Sequence, residues 1–317
     1  MKVKNRHPNL HPKLRCYLEE MDLIPEPNKI PSIEELRIQI ENRAVELCQE
    51  KIQIAQTQDL EINVSKTTIP IRIYHPSKEG NFPILVYIHG GGWIFGSINS
   101  HDNLCRYLCK KAHCIVVSIG YRLSPEYKYP IPLEDVYESI LWIHKNAHNF
   151  SGIKTKIAIA GDSAGGNIIA VISQMIRDRK GPKITCVILA YPALDLYTFD
   201  TLSYKENDRI YGLTYAEMQF FKNQYLNPDN DPHIPEISPI YNPNLHNLPP
   251  TLINVSEFDV FRDEGIKYAN LLKEAGCSVS LDVGAGLIHG GVFWAVASPI
   301  YSKQLEKTVK FIQTHLR

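Results

Sequence analysis

No charge imbalance marks this chain: Lys+Arg and Asp+Glu both number 34 among 317 residues. A balanced chain sets up no net field to recruit nucleic acid or an anionic membrane, and no basic run or interleaved aromatic stripe restores that reading. Long apolar runs are missing too, so no membrane span is expected. The start, Met1 to Pro12, is polar with His and Pro and has no apolar core, which argues against a secretory signal and for a cytoplasmic protein. Cysteine is sparse, at seven residues scattered over the chain, an odd number that suits no disulfide framework. Cys105, Cys109, His113 and Cys114 cluster, yet no second Cys-x-x-Cys pair or His-x-x-x-His completes a zinc set, so they read as buried thiols and no metal is expected. Without a secretory route, the Asn-x-Ser sequons at Asn63, Asn149 and Asn254 carry little meaning.

What is present is 44% hydrophobic residues, enough for a sizeable core, arranged in an alternating pattern. The first sixty residues read as amphipathic helices. Leu14, Leu18 and Met21 form one stripe, and after a capping box at Ser32 and Glu35 come Ile33, Leu36, Ile40, Ala44 and Leu47. Leu60–Val64 and Ile69–Tyr74 read as an edge hairpin. Apolar strands at 84–88, 115–119, 157–160, 186–190, 252–255 and 279–283 then alternate with helices near 103–112, 133–146, 168–179, 263–275 and 302–314. Near-continuous apolar strands with intervening helices imply a mostly parallel eight-stranded sheet covered on both faces. The alternation breaks between Asp195 and Asn247, an aromatic-rich stretch that reads as a helical insertion. The expected organisation is an N-terminal helical cap segment, 1–58, a core from 59–194 and 248–317, and a cap insertion, 195–247. The two cap segments would cover the carboxyl edge of the sheet, where open α/β sheets bind ligands.

One stretch carries the chemistry. In Ile157-Ala158-Ile159-Ala160-Gly161-Asp162-Ser163-Ala164-Gly165, a buried-type strand runs into Gly-x-Ser-x-Gly and then a helix. Glycines two residues either side leave room for Ser163 to sit at a strained corner with its hydroxyl exposed. A serine hydroxyl is a weak nucleophile without a base, the base needs an orienting carboxylate, and the oxyanion needs fixed donors. On such an elbow the acid and then the histidine follow in chain order, each after a later strand. Asp259 and His289 occupy those places, although Glu257 shares the acid's loop and Asp263 could cap the next helix. His89-Gly90-Gly91-Gly92-Trp93, directly after the strand 84–88, lets backbone amides approach a ligand, so Gly91, Gly92 and Ala164 are the candidate oxyanion hole. No Lys-Ser/Thr follows and no Gly-x-Gly-x-x-Gly spacing is present, which argues against a phosphate cradle.

Taken together, His89-Gly90-Gly91-Gly92-Trp93, Gly161-Asp162-Ser163-Ala164-Gly165-Gly166-Asn167, Tyr121-Arg122-Leu123-Ser124-Pro125-Glu126 and Glu257-Phe258-Asp259-Val260-Phe261-Arg262-Asp263-Glu264-Gly265 resemble the hormone-sensitive lipase family of α/β-hydrolases. The resemblance runs from about residue 60 to the C-terminus. It implies the α/β-hydrolase fold and a carboxylesterase acting on short- to medium-chain acyl esters without cofactor or metal. It also favours Asp259 over Glu257 as the acid and gives His89 and Glu126 structural roles, bracing the glycine loop and the active-site floor, beside Gly90 and Asp162. Trp93, Tyr211 and Phe293 are the expected pocket residues. Two departures stand out: Val260-Phe261 replaces the family's usual Pro and Leu, and Gly290-Gly291-Val292 separates His289 from Phe293. The alternatives are an amide hydrolase or sugar deacetylase on the same site, or a non-catalytic receptor on the same scaffold. The expected partner is a small-molecule ester, with a homodimer possible.

Overall fold

The computed structural model describes residues 6–23, 31–47, 50–64, 67–291 and 299–317. Eight strands form one sheet in the order β1-β2-β4-β3-β5-β6-β7-β8. They are β1 (Gln56–Val64), β2 (Thr67–His75), β3 (Phe82–Ile88), β4 (Ile115–Ile119), β5 (Gly152–Asp162), β6 (Ile184–Ala190), β7 (Thr251–Phe258) and β8 (Val279–Ile288). Only the β1–β2 and β2–β4 pairs are antiparallel. From β4 onward every pairing is parallel.

Strand alternation explains why both faces are covered. Ile84, Val86, Ile88, Ile157 and Ile159 belong to one core, while Leu85, Tyr87, Ala158, Ala160 and Cys186 belong to the other. The branched face meets α4 (Ile131–Asn146), α5 (Ala164–Asp178) and α8 (Arg262–Glu274) through residues such as Ile140, Ile168 and Leu272. The face richer in small residues meets α3 (Asp102–Ala112) and α9 (Ser302–Leu316) through Leu104, Leu108 and Ile312. Each fully buried aliphatic side chain contributes about 1.5–3 kcal/mol, so losing period-two alternation in any central strand would unseat a whole layer.

Outside the sheet pattern lie α1 (Pro12–Leu23), α2 (Ile33–Leu47), α6 (Leu202–Asn207) and α7 (Tyr215–Tyr225). In α1, Leu14 and Leu18 are buried but Met21 is exposed, so the stripe is shorter than its spacing suggests. The capping box forms at α2, where Glu35 accepts the Ser32 amide at 2.7 Å. Several strands outrun their apolar cores, β1 from Gln56 and β7 to Phe258 among them. β5 begins at Gly152, before a register shift between Ile157 and Ala158, and β8 continues through Gly284 and Gly286 to Ile288. That extension delivers His289 at the strand's end.

Candidate active site

Register does the first part of the assembly. Ile88 of β3 pairs with Gly161 of β5, Ala190 of β6 pairs with both Asp162 and Asn254, and Phe258 of β7 pairs with Ile288. The residues that follow these strands therefore emerge side by side. Ser163 stands at φ 53°, ψ −118°, between the end of β5 and the start of α5. A Cβ on Gly161 would strike the Gly165 carbonyl, and one on Gly165 would strike the carbonyls of Ile88 and His89, so the corner closes only around glycine.

Ser163 Oγ lies 3.0 Å from His289 Nε2, and His289 Nδ1 lies 2.8 Å from Asp259 Oδ2. The other carboxylate oxygen, Oδ1, accepts the Phe261 amide at 3.0 Å. Glu257 is turned away, accepting the Gly286 amide at 2.7 Å. Asp263 accepts the Ser203 amide at 2.7 Å, so it caps α6 rather than its own helix. Geometry thus joins Ser163, His289 and Asp259 and leaves the other two acids out. The imidazole sits between two nearly buried rings, Tyr191 at 4.8 Å and Phe261 at 5.1 Å between centroids.

The glycine loop is held by a buried polar junction. Asp162 Oδ1 accepts the Tyr87 hydroxyl at 2.7 Å and the Gly90 amide at 3.0 Å, and His101 Nε2 pairs with it at 3.3 Å. Burial opposes ionisation of Asp162, yet His101, Tyr87 and His89 together hold its carboxyl below the usual range. His89 donates from Nδ1 to the Gly90 carbonyl at 2.9 Å and stacks on Tyr121 at 4.4 Å. Burial, reinforced by His101, pushes its pKa down to about 4, so the ring is neutral at pH 7. Gly91 and Gly92 have φ of 117° and 60°, a region glycine enters without strain.

A cleft of about 380 Å3 opens over Ser163. Its floor includes Gly91, Gly92, Ala164 and Trp93. Its walls draw on Tyr17 and Ile40 from α1 and α2, and on Leu213, Met218 and Phe221 from the insertion. Trp93 is buried and stacked on Tyr225 at 4.7 Å. Tyr211 does not line this cleft: its hydroxyl accepts the His7 amide at 2.9 Å and its ring stacks on Phe258, because a buried phenol goes where a donor is available. Glu126 is likewise no floor residue. Its side chain is 53% exposed and holds the Arg37 guanidinium of α2 by two hydrogen bonds, at 2.9 and 2.8 Å. Phe293 lies outside the described residues. Sequence reasoning missed Tyr191, Phe261, His101 and Arg37, none of which stands in a motif that names its partner.

The thiols of Cys105, Cys109 and Cys114 are buried, and burial raises all three above the ordinary thiol range, that of Cys109 to about 12. Among the described residues, no group of three or more His, Cys, Asp or Glu is arranged to hold a metal ion, and no helix is long and apolar enough to cross a membrane.

Comparison with known proteins bears on the family and the fold. A family profile described as an alpha/beta hydrolase fold matches residues 85–293. The chain belongs to the hormone-sensitive lipase family of α/β-hydrolases. This hydrolase is 41% identical over 238 residues to the carboxylic ester hydrolase LipN of Mycobacterium tuberculosis, a match covering 73% of this chain and 63% of that protein. It is 38% identical over 237 residues to the carboxylesterase NlhH of the same organism, covering 74% of each. Among solved structures, an esterase from Pyrobaculum calidifontis superposes with TM-score 0.89 at 34% identity, covering 96% of this hydrolase and 98% of the other chain.

Proposed function

We propose that this hydrolase is a serine carboxylesterase in which Ser163 is the nucleophile, His289 the general base and acid, and Asp259 the residue that orients the imidazole. The observation that carries the reading is the unbroken run from Ser163 Oγ to His289 Nε2 at 3.0 Å and from His289 Nδ1 to Asp259 at 2.8 Å, mounted on a strained elbow at the floor of a cleft. The chain is a carboxylic ester hydrolase, as its relatives are by name.

Ser163 Oγ attacks the ester carbonyl while its proton passes to His289 Nε2. The amides of Gly91, Gly92 and Ala164 receive the oxyanion, each such donor being worth about 2.7–4 kcal/mol in the transition state. The imidazolium then gives its proton to the departing alkoxide, leaving an acyl-serine. Water, deprotonated by the same imidazole, releases the acid and restores Ser163. Asp162 and His89 support the donors indirectly, through Gly90. The cap consists of segments 1–58 and 195–247, and its apolar side chains accept a short to medium acyl chain. The substrate is a small-molecule ester met in the cytoplasm. Ser163→Ala should abolish turnover of a short-chain nitrophenyl ester while the thermal unfolding curve stays cooperative. Undiminished hydrolysis by that variant would rule the assignment out.

A further inference from the structure

Phe261 follows the candidate acid Asp259 by two residues, and its ring packs against the imidazole of His289. We propose that Phe261, acting with Tyr191, is a positioning residue that fixes His289 and stabilises its protonated form during acyl transfer; this rests on the reading of His289 as the base. Phe261 holds both partners of the Asp259–His289 pair. Its amide donates to Asp259 Oδ1 at 3.0 Å, and its ring meets His289 at 5.1 Å and 85°. Tyr191 meets the same imidazole at 4.8 Å and 65°. Both rings are almost fully buried, at 1% and 3% exposure, so water screens neither contact. Tyr191 is held at φ 34°, an unusual conformation for a residue with a side chain, with its amide fixed on the Asn254 carbonyl.

Near-perpendicular aromatic contacts set the positive edge of one ring against the negative face of the other. The sense we assign points the imidazole edge at the faces of Phe261 and Tyr191. When Ser163 transfers its proton to Nε2, that edge becomes more positive and the attraction grows, so the transition state gains more than the resting enzyme. The opposite sense, aryl edge on imidazole face, would resist protonation. The two senses predict opposite changes in kcat.

The test is Phe261→Leu, which keeps a large apolar side chain and removes the π-face. Active sites are counted by fluorophosphonate titration, so that misfolded protein is excluded from the rate. We expect kcat per titrated site on a short-chain nitrophenyl ester to fall by about 2- to 30-fold, the range an aromatic face adds for a nearby cation. KM should stay within about twofold, and Phe261→Tyr, which keeps the face, should recover most of the lost rate. An unchanged or raised kcat, a loss confined to KM, or an equal loss in the Leu and Tyr variants would overturn the proposal. His289→Ala separates the two readings. If it keeps turnover, the general-base assignment itself fails; if it is inactive while Phe261→Leu matches the parent, only the role of Phe261 fails.

Discussion

The neutral, buried His89 offers a quantitative test of how the glycine loop is held. Its ring donates to the Gly90 carbonyl and stacks on Tyr121, and burial pushes its pKa from the ordinary 6.5 to about 4. Between those two pH values the unfolded chain takes up a proton at position 89 that the folded chain refuses. Stability must therefore fall as pH drops through that window and level off below about 4. At about 1.4 kcal/mol per pH decade the full handicap is on the order of 3 kcal/mol, and by pH 5 about 2 kcal/mol has accrued. The groups facing the ring are Asp162, His101 and Tyr121, with the Asp162 carboxyl held low enough to stay ionised across the window. His89→Asn retains an N–H donor at the Nδ1 position but cannot titrate. It should cost roughly 1–3 kcal/mol at pH 7 through lost stacking and volume. The gap to the parent should then shrink by about 2 kcal/mol at pH 5. Urea midpoints and slopes for both proteins at pH 7, 6 and 5 supply the comparison. A gap that does not change with pH would mean that His89 protonates inside the fold, and the neutral-ring argument would be wrong.

Two further perturbations probe the elbow and the cleft wall. Gly165→Ala sets a methyl against the carbonyls of Ile88 and His89, backbone that cannot step aside, so it should remove nearly all esterase activity and lower stability by about 1–3 kcal/mol in thermal melts. An active, equally stable variant would show that the corner is not tightly closed. Arg37→Met removes a guanidinium that donates to the Ile94 and Ser124 carbonyls, each at 2.8 Å, as well as to Glu126. The Glu126 pair is half exposed and adds little, but the two carbonyl bonds are partly buried, so stability in thermal melts should fall by about 1–3 kcal/mol. KM should rise severalfold at nearly constant kcat, since Ile40 of the same helix lines the cleft, and a fall in kcat alone would contradict this.

Most of the arrangement around Ser163 was legible because its constraints are local. Gly161 and Gly165 around Ser163, the glycine run 90–92, and the chain order of Asp259 and His289 are backbone and topology statements, and the register of β3, β5, β7 and β8 turns them into distances. Choosing Asp259 over Glu257 needed the resemblance, and the two side chains then point to different partners, His289 and the Gly286 amide. What could not be read depends on contacts far apart in sequence. Tyr211 looked like a pocket aromatic, but its partner is the backbone of His7, over two hundred residues away. Arg37 and Glu126 meet across 89 positions, and no periodicity in α2 marks Arg37 as the residue that crosses. Val260-Phe261 stood out only as a departure from the family's pattern, and that the Phe261 ring packs edge-to-face against His289 depends on a contact across the fold.

The contacts also divide the molecule by how firmly they are made. Asp162, one residue before Ser163, is buried and joins β3 through Tyr87, the glycine loop through Gly90 and the start of α3 through His101. Breaking one side of such a buried charged junction costs about 3–5 kcal/mol, so the elbow and the oxyanion amides move as one body or not at all. The cleft walls are fastened differently. α2 is tied to the core by Arg37, which reaches the half-exposed Glu126 and the partly buried Ile94 and Ser124 carbonyls, and the C-terminal end of α7 by the buried Tyr225 ring stacked on Trp93 and by Lys128 donating to the Asn223 and Leu226 carbonyls. Of these, the Arg37–Glu126 ion pair is of the half-exposed kind worth about 1 kcal/mol or less and weakened by salt. Substitutions that change which esters bind are therefore expected at cleft-lining positions such as Ile40 of α2 and Phe221 of α7, and those that change the rate of acyl transfer around Asp162, Phe261 and His289.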